Sequence, residues 1–354
     1  LAIRAFDYFT LVQLYQFNYK GHEDAPGVPI ITSENAEEVA ANGCARSTVK
    51  ETYEFILGDL NKAIELLANT KKTRSDKRYV SLDVAYGIRA RVHLTMHNYA
   101  DALKDAEAAL ASTSSVPYSS AAVSKPTFID IEDASWMWGI LITDKDRVST
   151  TGICNFPSHM GSLNYGYASV GGWRRISPKL YNQIPESDVR KGWFLDDTGV
   201  SVNLPAAAQA YITKKGAPVY TQVKYGPMND EWGSNNNATD VILMRVEEMY
   251  LIKAEAQAMN NDVSGGVNTL NSFVNTYRDP SYKCTATTGE AVQEAVWHQR
   301  RIEFWGEGLA YFDIMRLNKG VNRLGCGFPK TAVFIIAAGD PVQIYSIPNK
   351  EVQY

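Results

Sequence analysis

A mostly α-helical fold is predicted: a scaffold of tetratricopeptide-like helical hairpins that carries an irregular, aromatic-rich region with short strands. Three observations point there. Apolar residues recur at spacings of three and four through both ends of the chain, the period of a helix face. Two stretches, 81–112 and 245–277, have the length of a tetratricopeptide helix pair, about 30 residues. Between them the composition changes: residues 113–243 hold many Gly, Pro, Ser and Asn residues and five of the seven tryptophans.

At the start, Leu1, Ala5, Tyr8, Val12 and Tyr15 mark one face of a helix over 1–17. A helical pattern already under way at the first residue leads us to expect an N-terminal portion ahead of Leu1, with any targeting signal in it. Residues 48–67 open with Thr48 and Glu51, the spacing of a capping box. Val49, Tyr53, Ile56, Leu60, Ile64 and Leu67 continue as one apolar face. In 81–112, Leu82, Ala85, Ile88 and Val92 line a first helix and His97-Asn98 makes the turn. Tyr99, Ala102, Ala106 and Ala109 line the second, small enough for close packing. The middle gives a strand at 135–142 and a second at 219–225, with a loop over 226–239. Trp136 and Trp138, two apart on the first strand, are expected on one side of it. Residues 245–277 form the second hairpin, turning near Asn260-Asn261-Asp262. From Trp297 to Leu317, Ile302, Trp305, Leu309, Phe312 and Met315 make one helical stripe. Gly306 and Gly308 interrupt it, which predicts close packing or a break. The tail from Thr331 is irregular, with one apolar run at 333–338. The organisation expected is therefore an N-terminal scaffold (1–112), an irregular ligand-binding region (113–243) and C-terminal hairpins (244–354), together one composite domain.

Composition removes several function classes. The 354 residues are 45% hydrophobic, enough for a sizeable core, and the net charge of −4 lacks the basic footprint of a nucleic-acid binder. No run of 18 apolar residues reads as a membrane-spanning helix. Cys44, Cys154, Cys284 and Cys326 form no CxxC pair and are expected as small buried side chains, their disulfide state open.

Catalytic chemistry finds no foothold. Glu303 and Glu307, four apart among Arg300, Arg301, Asp313 and Arg316, read as a structural ion-pair ladder. Side chains on one helix cannot flank a sugar from both sides, as glycoside hydrolysis requires. His93 and His97 share a helix face but lack a third ligand, so no metal is expected. GxSxG, Walker A and GxGxxG are absent, and no cofactor is called for. The positive signal is aromatic. A flat ring can stack on the apolar face of a sugar while its polar edge tolerates water. Trp173, Trp193, Tyr225 and Trp232 adjoin Gly- or Asn-rich loops, and Tyr165 and Tyr167 flank Gly166. With Asn235 these are the candidate ligand-binding residues; Trp136 and Trp138 are assigned to a core.

The residues also carry a resemblance. Arg300-Arg301-Ile302-Glu303-Phe304-Trp305-Gly306-Glu307-Gly308, followed by Phe312-Asp313-Ile314 and Arg316, resembles the signature helix of SusD/RagB-like proteins. So do Leu243-Met244-Arg245-Val246-Glu247-Glu248 with Tyr250 and Ala254-Glu255-Ala256, Asp24-Ala25-Pro26-Gly27-Val28-Pro29, and the closing Tyr345-Ser346-Ile347-Pro348 with Glu351. The matches keep the family's order from end to end. Gln299 and Ala310 depart from it, standing where Glu and Arg are common. The resemblance implies a SusD-like fold in a cell-surface lipoprotein of the outer membrane. Such a protein holds an oligosaccharide, or in some members a peptide, and passes it to a TonB-dependent SusC-like transporter without cleaving it. It also implies an acylated N-terminal portion, absent from this chain, as the only membrane attachment. Two alternatives stay open: a peptide or glycopeptide ligand on the same fold, and a scaffold that binds only proteins, whose middle-region aromatics would all be buried.

Overall fold

The structure, a computed structural model, describes residues 1–150 and 155–352. Helix α1 (Ala2–Tyr15) buries Ala2, Ala5, Phe9 and Val12, with Tyr8 and Tyr15 on the flank of that face and Leu1 in solvent. After the short α2 (Ala36–Asn42) comes α3 (Val49–Asn69), whose predicted capping box forms. Thr48 Oγ1 accepts from the Glu51 amide at 3.1 Å, and the Glu51 carboxylate accepts from the Thr48 amide at 2.8 Å. Two otherwise orphaned donors are satisfied there. Arg4 clamps α1 to α3 through a two-pronged pair with Asp59 at 2.7 and 2.8 Å.

Helices α4 (Leu82–Thr95) and α5 (Tyr99–Ser112) form the first predicted hairpin, with His97 at φ 62° in its turn. Ala102, Ala106 and Ala109 are fully buried, and Arg89 bridges to Asp105 at 2.6–2.7 Å. A single turn, α6 (Ser120–Val123), precedes strand β1 (Trp136–Ile140). Short helices α7 (Phe156–Met160) and α8 (Pro178–Tyr181), then α9 (Ala206–Lys214), punctuate the irregular region. Strand β2 (Val241–Arg245) runs directly into α10 (Val246–Met259), which pairs with α11 (Val263–Tyr277) as the second predicted hairpin. Packing of α5 on α10 joins the two hairpins into one stack, and α12 (Gly289–Glu303) also packs on α10. After α13 (Ala310–Arg316) and a two-residue ladder of β3 (Val321–Asn322) with β4 (Ile335–Ile336), the tail is draped outside, with no residue past Arg316 buried among those described.

Several local expectations are corrected. Segment 219–225 is not a strand; it makes only isolated bridges, Arg175 to Thr221, Phe194 to Gln222 and Thr127 to Tyr225. Its backbone is shared among three different neighbours, so no continuous ladder forms. Trp136 and Trp138 do not serve one core. A register shift between them in the β1–β2 pair breaks the period-two alternation. Trp136 joins Tyr118, Phe128 and Trp193, while Trp138 packs edge-on against Phe6 of α1 at 5.0 Å. The 297–317 stripe is two helices: Gly306 and Gly308 both sit at φ +82°, a left-handed conformation that ends α12. A β-carbon at Gly306 would also lie 2.6 Å from Met160 and 2.9 Å from the Tyr225 hydroxyl. Of the cysteines, Cys284 is buried, but Cys44 is exposed and Cys326 partly so; all three are free thiols. Cys154 lies outside the described residues.

Candidate functional site

The signature residues fold inward. Glu303 accepts from Arg278 at 2.7 and 2.8 Å, from Arg245 at 3.1 Å and from Arg190 at 3.3 Å. Glu307 holds Arg245 at 2.9 Å and the Lys224 ammonium at 2.5 Å. With Asp188 on Arg190 and Glu247 on Arg245 and Arg278, four cations meet four carboxylates, all essentially dry. A second buried set joins Arg91, Arg300 and Arg316 to Glu248, Asp313 and Glu255. The expected i,i+3 rung of Asp313 and Arg316 forms at 2.8 Å, but most partners come from elements far apart in sequence, so the set is a three-dimensional lattice more than a helix ladder. Arg301 stands outside it, over the Trp297 ring. Burial alone would push the Glu303 carboxyl up; Arg278, Arg245 and Arg190 outweigh it and hold the group well below the ordinary glutamate range. Burial likewise opposes ionisation of Glu307 and Asp313, yet Arg245 and Lys224 keep the first low and Arg300 and Arg316 the second. Burial brings the Lys224 ammonium down to about 8 even with Glu307 beside it. Carboxylates so neutralised serve the ion-pair lattice, and Glu248, Glu307 and Asp313 also line a cavity of about 210 Å³ beside α1.

The predicted ligand residues divide. Trp193 is 1% exposed, its Nε1 donates to the Val123 carbonyl, and Lys224 lies 4.8 Å from its ring. Tyr225 is buried over Phe128 and Phe156. Both are core rings, buried in an apolar cluster with Tyr118, Phe128 and Trp136; the expectation that they meet ligand is corrected.

The others gather at the surface. In Asn164-Tyr165-Gly166-Tyr167 the alternate residues face opposite ways. Asn164 and Gly166 are buried; Tyr165 and Tyr167 are 50% and 43% exposed. The turn is pinned from beneath: the Tyr165 amide donates to Ser234 O at 2.7 Å, the Tyr167 amide to Ser158 Oγ at 2.8 Å, and Asn164 to Asn237. Only glycine fits at 166, where a β-carbon would lie 2.6 Å from Ser158 Oγ. The Gly233 amide donates to Leu163 O at 2.8 Å, which brings the 232–237 loop alongside with exposed Asn235. Trp173 and Trp232 are half-buried on a small apolar cluster of Leu163, Leu195, Ala208, Ile212 and Val223.

Sequence reasoning missed three members of this patch. Tyr211 of α9 donates to Asn164 O at 3.2 Å. Lys215, just past the end of α9, places its ammonium 5.0 Å from the Tyr165 ring centroid and 5.7 Å from that of Tyr211. Arg174 donates to Gly172 O at 3.0 Å, meets His159 Nδ1 at 3.1 Å and lies 6.0 Å from the Tyr167 ring. A basic residue at a helix C-terminus is favoured by the helix dipole, but nothing local says which ring it will cover. A separate cleft of about 620 Å³, lined by Tyr181, Tyr220, Asp196 and Asp197, was also illegible. Its Asp196 is occupied by the Thr198 hydroxyl and the 198 and 200 amides. Among the described residues no cluster of His, Cys, Asp or Glu could hold a metal ion, and His97 spends its Nε2 on the Arg316 carbonyl.

Comparison with known proteins places this architecture. Residues 180–334 match the SusD family model, and residues 1–94 match a model described as "Starch-binding associating with outer membrane". A SusD-like protein P2 from Formosa agariphila is 25% identical over 91% of this chain, which spans 65% of that relative's length. Two solved structures share the fold. A SusD-like carbohydrate binding protein from Bacteroides vulgatus superposes with a TM-score of 0.78 at 24% identity, over 99% of this chain and 74% of its own. A SusD superfamily protein from Bacteroides thetaiotaomicron gives 0.80 at 22%, with the same coverage. With the buried Arg–Glu lattice built from the signature residues, these matches support a place for the chain among SusD/RagB-like proteins, and the solved structures show that it has their fold.

Proposed function

We propose that this chain is a non-catalytic glycan-binding protein, attached at the outer face of the outer membrane, that captures oligosaccharide and passes it to a TonB-dependent SusC-like transporter. The ligand surface is the patch of Tyr165, Tyr167, Trp173 and Trp232 with Asn235, in the irregular region. The observation that carries the reading is the outward presentation of Tyr165 and Tyr167 on a turn whose intervening residues are buried and hydrogen-bonded. Exposed rings are costly to hold rigid, and rigid rings are what sugar stacking uses. The carbohydrate-binding relative and the family description support the same direction. Membrane attachment rests on the family resemblance; among the described residues no helix is long and apolar enough to cross a membrane.

An open surface of this kind predicts single-site affinities of roughly mM to µM. The test is calorimetry or affinity electrophoresis against polysaccharides, oligosaccharides and peptides, with product analysis of each mixture. Saturable glycan binding without new products, weakened in Tyr165→Ala and Tyr167→Ala, is the expected result. Binding confined to peptides would replace the glycan by a peptide ligand, and new products would overturn the non-catalytic assignment.

A further inference from the structure

We infer that the aromatic patch selects acidic glycans, those bearing carboxylate or sulfate groups; this rests on the glycan reading above. Each of the two exposed tyrosines is accompanied by its own cation: Lys215 beside Tyr165 and Arg174 beside Tyr167. Neither cation forms an ion pair among the described residues. Among the described residues the Lys215 ammonium meets only ring faces, and Arg174 meets one carbonyl, His159 and the Tyr167 ring, with no acceptor on its Nε. The acidic residues beside Trp232, Asp230 and Glu231, are exposed and pair with neither.

In the buried lattice a cation over a ring also keeps a carboxylate, while Arg301 over Trp297 and Arg323 over Phe328 and Phe334 form no ion pair among the described residues. Lys224 over Phe128 also holds Glu307, and Arg245 over Phe128 also holds Glu303 and Glu307. The patch therefore has two positive groups with their strongest class of partner missing. A cation–ring contact in water is weak, and a charge-assisted bond to an oxyanion is stronger. A sugar packed on the open part of either ring lies beside that ring's cation. A carboxylate or sulfate on the sugar then meets the cation at a reduced cost in ordering, because the ring contact already biases the side chain toward that position.

The experiment uses matched ligand pairs on the purified chain. Polygalacturonate is set against its carboxyl-reduced form, and carrageenan oligosaccharides against their desulfated form, so that carboxylate and sulfate are read separately. The acidic member of at least one pair is expected to bind roughly tenfold tighter than its neutral partner. That preference should collapse in 0.5 M salt (a Debye length of about 4 Å). Lys215→Gln and Arg174→Gln are each expected to lower acidic-glycan affinity about threefold or more with the melting temperature unchanged, and Lys215→Arg to restore it. Neutral members binding as tightly as acidic ones would overturn this inference and leave the glycan reading standing. So would acidic binding indifferent to both substitutions. Binding of no member of either pair, together with silence across a wider glycan panel, would remove both.

Discussion

The buried lattice around Glu303 and the surface patch around Tyr165 are made of the same parts, aromatic rings with Lys and Arg over them, and they are completed in opposite ways. Inside, every cation over a ring also holds a carboxylate, and the lattice of four cations and four carboxylates closes on itself. Removing charges from water costs several kcal/mol each, so a dry cation without an anion does not persist. At the surface, water screens Lys215 and Arg174, and nothing obliges the chain to supply their anions. The difference teaches how to separate fold from function here. A charge that is fully matched holds the structure together, and a charge left unmatched beside an exposed ring is available to something else.

The comparison can be broken most forcefully at Glu303. Glu303→Gln leaves Arg190, Arg245 and Arg278 without their shared anion, and about 3–5 kcal/mol of stability should be lost, read from denaturant melts. Retention of full stability would mean that the lattice is not what holds the irregular region to the helices. Acid should act on the same groups. Glu303, Glu307 and Asp313 sit below their ordinary values of 4.5, 4.5 and 3.8 in the folded chain. Their stabilisation is therefore complete above those values and lost as pH falls below them through the depressed folded-state values, because the unfolded chain binds more protons there. Asp133 and Asp240, raised by burial, work weakly against it. A pH series of melting temperatures should accordingly be level near neutrality and drop below about pH 4.5.

Smaller effects sharpen the contrast. Trp232→Ala and Trp173→Ala should cost about 1–2 kcal/mol of stability as well as ligand affinity, since both rings are half-buried on the Leu163–Ile212 cluster. Losing affinity alone in these variants would place the rings wholly on the ligand side. The mildest change is Tyr165→Ala, where about 0.5–1.5 kcal/mol of stacking, a two- to twelve-fold weaker binding, should disappear with no shift in melting temperature. A large drop in melting temperature there would make Tyr165 a structural ring and move the binding surface elsewhere.

Much of the scaffold was legible in advance, and the reason is local. The capping box at Thr48 and Glu51, the turns at His97-Asn98 and Asn260-Asn261-Asp262, and the small-residue face of α5 each depend on residues within a turn or two of one another. The break at Gly306 and Gly308 was visible as a tension; its form as two left-handed glycines was not. The irregular region was legible only as a composition. Tyr165, Tyr167, Trp193 and Tyr225 have the same local signature, rings beside Gly or polar residues, and two of them are core while two are surface.

By itself, then, the sequence determined the helix pairs, their caps and turns, the family signature and the absence of any local catalytic motif, because periodicity and capping act over three or four residues. Only the tertiary structure decided which rings face water, which cations keep an anion, and that Glu303 serves as a hub. Those outcomes depend on contacts such as Arg190 with Glu303, 113 residues apart, and Lys224 with Glu307, 83 apart. Desolvation sorts the charges at such distances: a buried group must find its partner wherever the fold brings one, and an exposed group need not.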